Sequence, residues 1–466
     1  MGDLRELAEV GVRLAAGCGA SYADVRIERH RSTLIRYLHD TFDQASVGVT
    51  EGFGIRVLFD AAWGFATAVQ LQTSALKEAV DRAIRAAKVV SRHQREKVTL
   101  AKTSPSRETI PVQGHGSLAD ISLEEKMKMC NALVEAARSH HRKITSANAL
   151  YFDSTGRRVV ANTEGTDVET EDSRLYYSIR AIARENGKTV STLESHGLIG
   201  GGDVFAKATP EDHARTAARR AIAALDGKPC PARRLPVVMD PKLSGVFIHE
   251  AVGHAAEADG IIAKESILEG RIGEKIGSEL LTAYDDSTLA SGWGSSRYDD
   301  EGTLAGKRAI LKKGVLRGYI LNREAAAKLR MEPNGGARAE SYAHTPMVRM
   351  SNTYIAPGDL SMDELLEGID YGVYMKGTRG GQVDPSKGTF QFNAEDAQLV
   401  EKGELSTVLL GGSLSGDTLT NLNRIEGVGR DISHDPGFCG KANQSVPAGT
   451  GGPHVKIRET AVGGKS

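Results

Sequence analysis

One eight-residue stretch constrains this chain more than any other: Phe247-Ile248-His249-Glu250-Ala251-Val252-Gly253-His254. Two histidines bracket a glutamate in an otherwise apolar segment. Neutral imidazoles are good zinc ligands, and a glutamate beside the first can act as general base toward a metal-activated water. The spacing is HExxxH, one residue longer than the HExxH pattern that uses the same logic. Residues five apart on a regular α-helix are rotated by about 140°, against about 40° for residues four apart. One metal therefore takes both histidines only where the helix is widened, as in a π-bulge, or broken. Gly253 is the position where such a distortion costs least in side-chain sterics. The plainer alternative is a helix with two unrelated histidines, one packed and one solvated.

The surroundings favour the metal. Val237-Val238-Met239-Asp240 reads as a buried strand, Pro241-Lys242 opens a helix, and Val246-Phe247-Ile248 leads into His249. Burying two histidines and a glutamate there without partners is costly. A catalytic zinc usually has three protein ligands. Glu257, three residues after His254, lies on much the same helix face, and Asp259 is less well placed. The distant candidate is Cys439, flanked by glycines in Pro436-Gly437-Phe438-Cys439-Gly440-Lys441 and expected on a turn. The common role of a lone cysteine is a small buried hydrophobe.

Other polar clusters carry two readings each. Arg338, Tyr342 and His344 concentrate donors that could touch substrate or stabilise a transition state near a metal, and His344 is a further ligand candidate. The alternative is a solvated loop with its charges paired. His434-Asp435 either orients a ligand or forms a capped turn, and the turn is favoured. Arg379-Gly380-Gly381-Gln382 reads as a tight turn rather than a phosphate site.

Composition narrows the function classes. A net charge of −1 lacks the basic excess of a nucleic-acid or anionic-membrane surface. No GxxxxGK[ST] or well-placed GxGxxG indicates a nucleotide cofactor. Cys18, Cys130, Cys230 and Cys439 form no CxxC pair, a reduced intracellular pattern. The N-terminus from Met1 to Leu7 is polar and lacks a signal-peptide core. No apolar run approaches the roughly 18 residues that a spanning helix needs. The expectation is a soluble, cytoplasmic protein with no membrane contact and no direct nucleic-acid binding.

The predicted fold class is α+β. Helical periodicity over 3–17, 74–92, 123–139 and 211–225 alternates with short strands and hairpins between residues 22 and 69 and again from 150 to 179. Residues 103–117 read as a loop and a sub-boundary. Asp226-Gly227-Lys228-Pro229-Cys230-Pro231 is the main boundary. It separates an N-terminal α+β domain, 1–225, from a β-rich C-terminal domain, 232–466, that carries the metal-site helix.

The chain resembles the TldD/PmbA family of metallopeptidases, also known as modulators of DNA gyrase. The resemblance rests on Met239 to Asp259, Arg338 to His344, Arg349 to Tyr354, Gly380 to Pro385, and Pro436 to Lys441 with Gln444-Ser445-Val446-Pro447. One departure is Ala255-Ala256, where a glycine and a larger apolar residue are expected. The resemblance implies zinc on His249, His254 and Cys439, with Glu250 catalytic. It implies the TldD-type member, since TldE/PmbA-type partners lack HExxxH. It further implies a homodimer, or a heterodimer with a TldE/PmbA-like chain, whose enclosed cavity admits unfolded or extended peptide. Two rivals remain at this level: a zinc hydrolase of small amides or esters, and a non-catalytic peptide-binding scaffold with a structural metal.

Overall fold

The computed structural model describes residues 3–464; Met1 and Gly2 of the polar N-terminus, with Lys465 and Ser466, lie outside the described residues. The chain is α+β and has two halves. The first is built on a seven-stranded sheet of β1 (Tyr22–Leu38), β2 (Thr41–Phe59), β3 (Ala62–Ala68), β4 (Arg107–Ile110), β5 (Ile144–Asn162), β6 (Asp167–Glu185) and β7 (Lys188–Ile199). Its order is β3-β2-β1-β5-β6, with β4 and β7 both paired to β6. The short strands expected here are long instead: β1, β2, β5 and β6 each run 17 to 19 residues. Polar and glycine stretches such as Ser154-Thr155-Gly156 read locally as turns, yet they stay in the ladder with β1. The 103–117 loop likewise contains β4, which runs parallel to β6.

Side chains alternate faces along a strand. Val25, Ile27, Ile35, Tyr151 and Val159 point to one face. Two helix pairs cover it, Leu4–Gly17 with Thr73–Ser91 and Leu123–His140 with Pro210–Leu225. The opposite face carries Asp24, Arg26, Glu28 and Arg56, and these charges are buried rather than solvated. They dock onto the second half. The Arg56 guanidinium lies 2.6 Å from Asp24 and 2.9 Å from Glu301. Buried charges persist only when paired in this way.

The second half has two principal sheets. Arg233–Met239 lies inside a ten-stranded sheet, parallel to Tyr371–Lys376 and antiparallel to Val455–Gly463. Asn352–Ile355 lies in a six-stranded sheet, parallel to Gln444–Gly452, which forms a hairpin with Ser433–Lys441. The helix Pro241–Ile248 packs against strands of both. Asp240 starts it by accepting a hydrogen bond from the Leu243 amide at 2.8 Å, and Pro241 needs no partner in the first turn. Phe247 sets its ring edge-on to Phe390 and Phe392 of the larger sheet. One apolar cluster runs through helix and sheets. At about 1.5–3 kcal/mol per large buried side chain, it holds the helix end rigidly in place. No described helix is long and apolar enough to cross a membrane.

Candidate metal centre

The helix changes pitch where the histidines begin. Residues His249–Gly253 form a π turn and His254–Ala256 a 3-10 turn. The wider turn brings the two imidazoles to a centroid separation of 5.3 Å. This is the distortion that the HExxxH spacing demands of a shared site. The glycine acts through side-chain sterics, as the sequence implies. Gly253 has ordinary helical angles, φ −59° and ψ −53°, so its conformational freedom is unused. Its missing side chain matters instead, because a Cβ there would sit 2.2 Å from Met350 Sδ.

Cys439 completes the cluster from the strand Ser433–Lys441, not from a turn, and it is buried. Its Sγ lies 3.4 Å from His254 Nε2. The donor atoms of His249, His254 and Cys439 all fall within 4.8 Å of one another, and no other group of three or more His, Cys, Asp or Glu does so among the described residues. Burial alone would push the Cys439 thiol up, but the two imidazoles bring it down to about 5. Burial opposes protonation of His254, yet its bonds to Cys439 and Glu257 hold it well above the usual histidine range. The pair thus favours a thiolate, the form that ligates metal. His249 Nδ1 is buried and without a hydrogen-bond partner. Coordination of a cation would satisfy an imidazole that the protein leaves under-bonded. The donor set fits zinc in chemistry and number.

Glu257, the alternative ligand, stands behind the cluster. Its Oε2 is 3.0 Å from His254 Nδ1 and 3.0 Å from Lys441 Nζ. Burial would raise its carboxyl, but His254 and Lys441 lower it. A carboxylate on Nδ1 fixes the ring so that Nε2 faces the sulfur. Asp259 is also held by Lys441, at 2.8 Å. Arg349, fully buried, donates to the carbonyls of Cys439 and Gln444 and so holds the hairpin that delivers the thiolate. The sequence reading gave Lys441 and Arg349 no role. Cys439 and Lys441 are two apart on a strand and share a face. That spacing is the signal by which Lys441 could have been found.

Arg338, Tyr342 and His344 are not brought to the cluster, and none lines a cavity beside it. They lie at the junction of the halves. The Tyr342 amide donates to Glu28 at 2.9 Å, Arg26 donates to the His344 carbonyl, and His344 Nδ1 pairs with Ser341. Arg338 donates to the Met350 carbonyl. His434 and Asp435 are in the Ser433–Lys441 strand rather than a capped turn, and the His434 ring packs on Tyr354. Gly381 and Gln382 begin an edge strand, Gly381–Asp384, after a turn at Gly380.

Glu250, whose carboxylate is 3.7 Å from His254 Nε2, lines two cavities. One, of about 830 Å3, is bordered by His254, Lys441 and the Gly381–Asp384 edge strand. The other, of about 230 Å3, is bordered by His249, Cys439, Val246 and Phe438. Glu250 is the only described residue that lines both.

Comparison with known proteins identifies the family. Residues 232–464 match the PmbA/TldA metallopeptidase C-terminal domain, 116–225 its central domain and 23–87 its domain 1. A metalloprotease of Methanothermobacter thermautotrophicus is 40% identical over 443 residues, covering 95% of each chain. A zinc metalloprotease TldD homolog of Saccharolobus solfataricus is 31% identical over 454 residues, 97% of this chain and 99% of that one. The solved structure of TldE from Thermococcus kodakarensis shares the fold, with a TM-score of 0.82 at 20% identity over 98% of this chain and 100% of that one. With matches across both halves and the His-His-Cys cluster in place, the chain belongs to the PmbA/TldD family of metallopeptidases.

Proposed function

We propose that the chain is a zinc-dependent peptidase that cleaves unfolded or extended polypeptides. The observation that carries this reading is the set of three donors within 4.8 Å, with Glu250 beside them in the lining of two cavities. His249, His254 and Cys439 would hold the ion. A structural zinc is closed by four protein ligands, whereas a catalytic one keeps a position open. Glu257 bonds Nδ1 of His254, on the side of the ring away from the Nε2 that faces Cys439, and lies outside the three-donor group, which argues against a fourth protein ligand and against the structural-metal scaffold.

Zinc, when bound, supplies a Lewis acid for the scissile carbonyl and lowers the pKa of water. Glu250 takes the proton from the attacking water and returns it to the leaving amine. Glu257 holds His254 in the ligating orientation, and Arg349 holds the Cys439 strand. The Gly381–Asp384 edge offers backbone groups along the larger cleft, onto which a substrate adds as a strand through main-chain bonds. That mode selects extended chains through the main chain and leaves sequence preference to adjoining side-chain pockets. It favours polypeptide over small amides or esters. The reading includes an enclosing dimer, with a second copy or a TldE-like chain, as closed two-fold pairs are the commonest oligomers. It places the protein in the cytoplasm, in keeping with four free cysteines.

Metal analysis coupled to digestion of one protein in folded and unfolded forms, with and without a TldE-like chain, tests this. About one zinc per chain and chelator-sensitive cleavage of the unfolded form alone are expected. Equal cleavage of both forms contradicts the enclosed site, and full cleavage after metal removal contradicts the chemistry.

A further inference from the structure

We infer that the 230 Å3 cavity on the Cys439 side of Glu250 is a subsite for one large apolar or aromatic substrate side chain adjacent to the scissile bond. The inference rests on the peptidase reading above and adds a specificity to it. A chain lying along the larger cleft that places its scissile bond at Glu250 carries its next residue into the smaller cavity, because Glu250 borders both. Sites for drug-sized ligands begin at about 300 Å3. A volume of about 230 Å3 therefore suits one side chain rather than a whole small molecule.

The lining has the matching chemistry. Leu193, Val246, Pro436, Phe438 and Ala448 supply apolar surface. Phe438 leaves 53% of its surface open although Cys439 next to it is buried. Its ring does not swing freely. Trp293 and Tyr176 brace it edge-on, each at 5.9 Å between centroids. A braced, open aromatic face is suited to a second ring or a branched aliphatic chain. Lys242, Asp435 and Glu250 also line the cavity, and the excess of carboxylates disfavours an acidic side chain.

The two halves of the molecule share this subsite. Leu193 comes from β7, whereas Phe438 comes from the Cys439 strand. β7 approaches closely because Gly197 lacks a side chain; a Cβ there would lie 2.7 Å from both Pro436 and Trp293. Docking of the halves therefore sets the width of the subsite, and Leu193 tunes it without belonging to the metal cluster.

The test is a mass-spectrometric map of cleavage sites in an unfolded protein digested by the zinc-loaded enzyme. Phe, Tyr, Leu, Ile and Met should be enriched about tenfold or more over Ala, Gly and Ser at one position flanking the cut, the scale at which apolar pockets discriminate. Leu193→Trp should fill the cavity and shift that position toward Ala and Gly, with zinc content unchanged. Leu193→Ala should widen it toward Trp. A flat distribution at both flanking positions, or a map that Leu193→Trp leaves unaltered, overturns the subsite while leaving the peptidase standing. Metal-independent cleavage overturns the peptidase reading instead. Occupancy can also be read without turnover. The chain has two tryptophans, so Trp63→Phe leaves Trp293, beside Phe438, as sole reporter. A Phe-containing peptide should shift its emission at concentrations where the Ala counterpart does not. Identical responses to the two peptides overturn the subsite.

Discussion

In the proposed mechanism a thiolate, two imidazoles and one carboxylate carry the chemistry, and each can be removed singly. Cys439→Ala should lose most bound zinc and with it activity, since the remaining two donors are below the three that a catalytic zinc usually keeps. Metal analysis after dialysis checks this; full zinc and full turnover would mean the third ligand is elsewhere. Glu257→Gln keeps the shape but weakens the hold on His254 Nδ1, and outer-sphere partners of this kind typically contribute about 10–100-fold to metal affinity. Competition with a chelator should show a loss in that range, and an unchanged affinity would strip Glu257 of its orienting role. His249, Glu250 and His254 were legible because they are neighbours in sequence. Cys439 is 185 residues from His254. Its place became expected only through the family resemblance, since nothing local to a lone cysteine announces a partner so far away.

The π turn is the element on which the site depends, and its packing is tight on the Gly253 side. Gly253→Ala places a methyl against Met350 Sδ. Overpacking of this kind typically costs about 1–3 kcal/mol. It should also displace His254 and lower zinc occupancy. Met350→Ala in the same chain should recover part of both losses, read as a coupling in a double-mutant cycle. Additive effects in denaturation midpoint and metal content would show that the contact is not what constrains the turn. The spacing revealed that the helix had to widen, but not that the glycine answers to a methionine about a hundred positions on. The strands show the same division. Periodicity marked their apolar positions, yet their length was hidden. Turn-like residues such as Gly156 continue the ladder because a neighbouring strand pairs with them, and that pairing is a tertiary fact.

Across the whole molecule, the polar face of the N-terminal sheet is where local reading fails most. Asp24, Arg26 and Glu28 alternate with apolar residues as a solvated face would, but they are buried against the second half. The Arg338-Tyr342-His344 segment reads as an active-site loop for a related reason: it concentrates polar groups, yet it is its main chain that meets the sheet face, through the Tyr342 amide and the His344 carbonyl. Arg56→Ala would leave Asp24 and Glu301 buried without their cation. Breaking a buried pair this way costs about 3–5 kcal/mol. Thermal unfolding should fall by several degrees. An unshifted melting curve would show that the halves are joined by other contacts. The most direct measurement of the central claim is zinc content and peptide turnover on one preparation of Glu250→Gln. The expected result is about one zinc per chain, as in wild type, with turnover of an unfolded polypeptide reduced by about 10²–10⁴-fold, the usual contribution of a general base. Wild-type turnover at full zinc occupancy would contradict Glu250 as the base and the mechanism built on it.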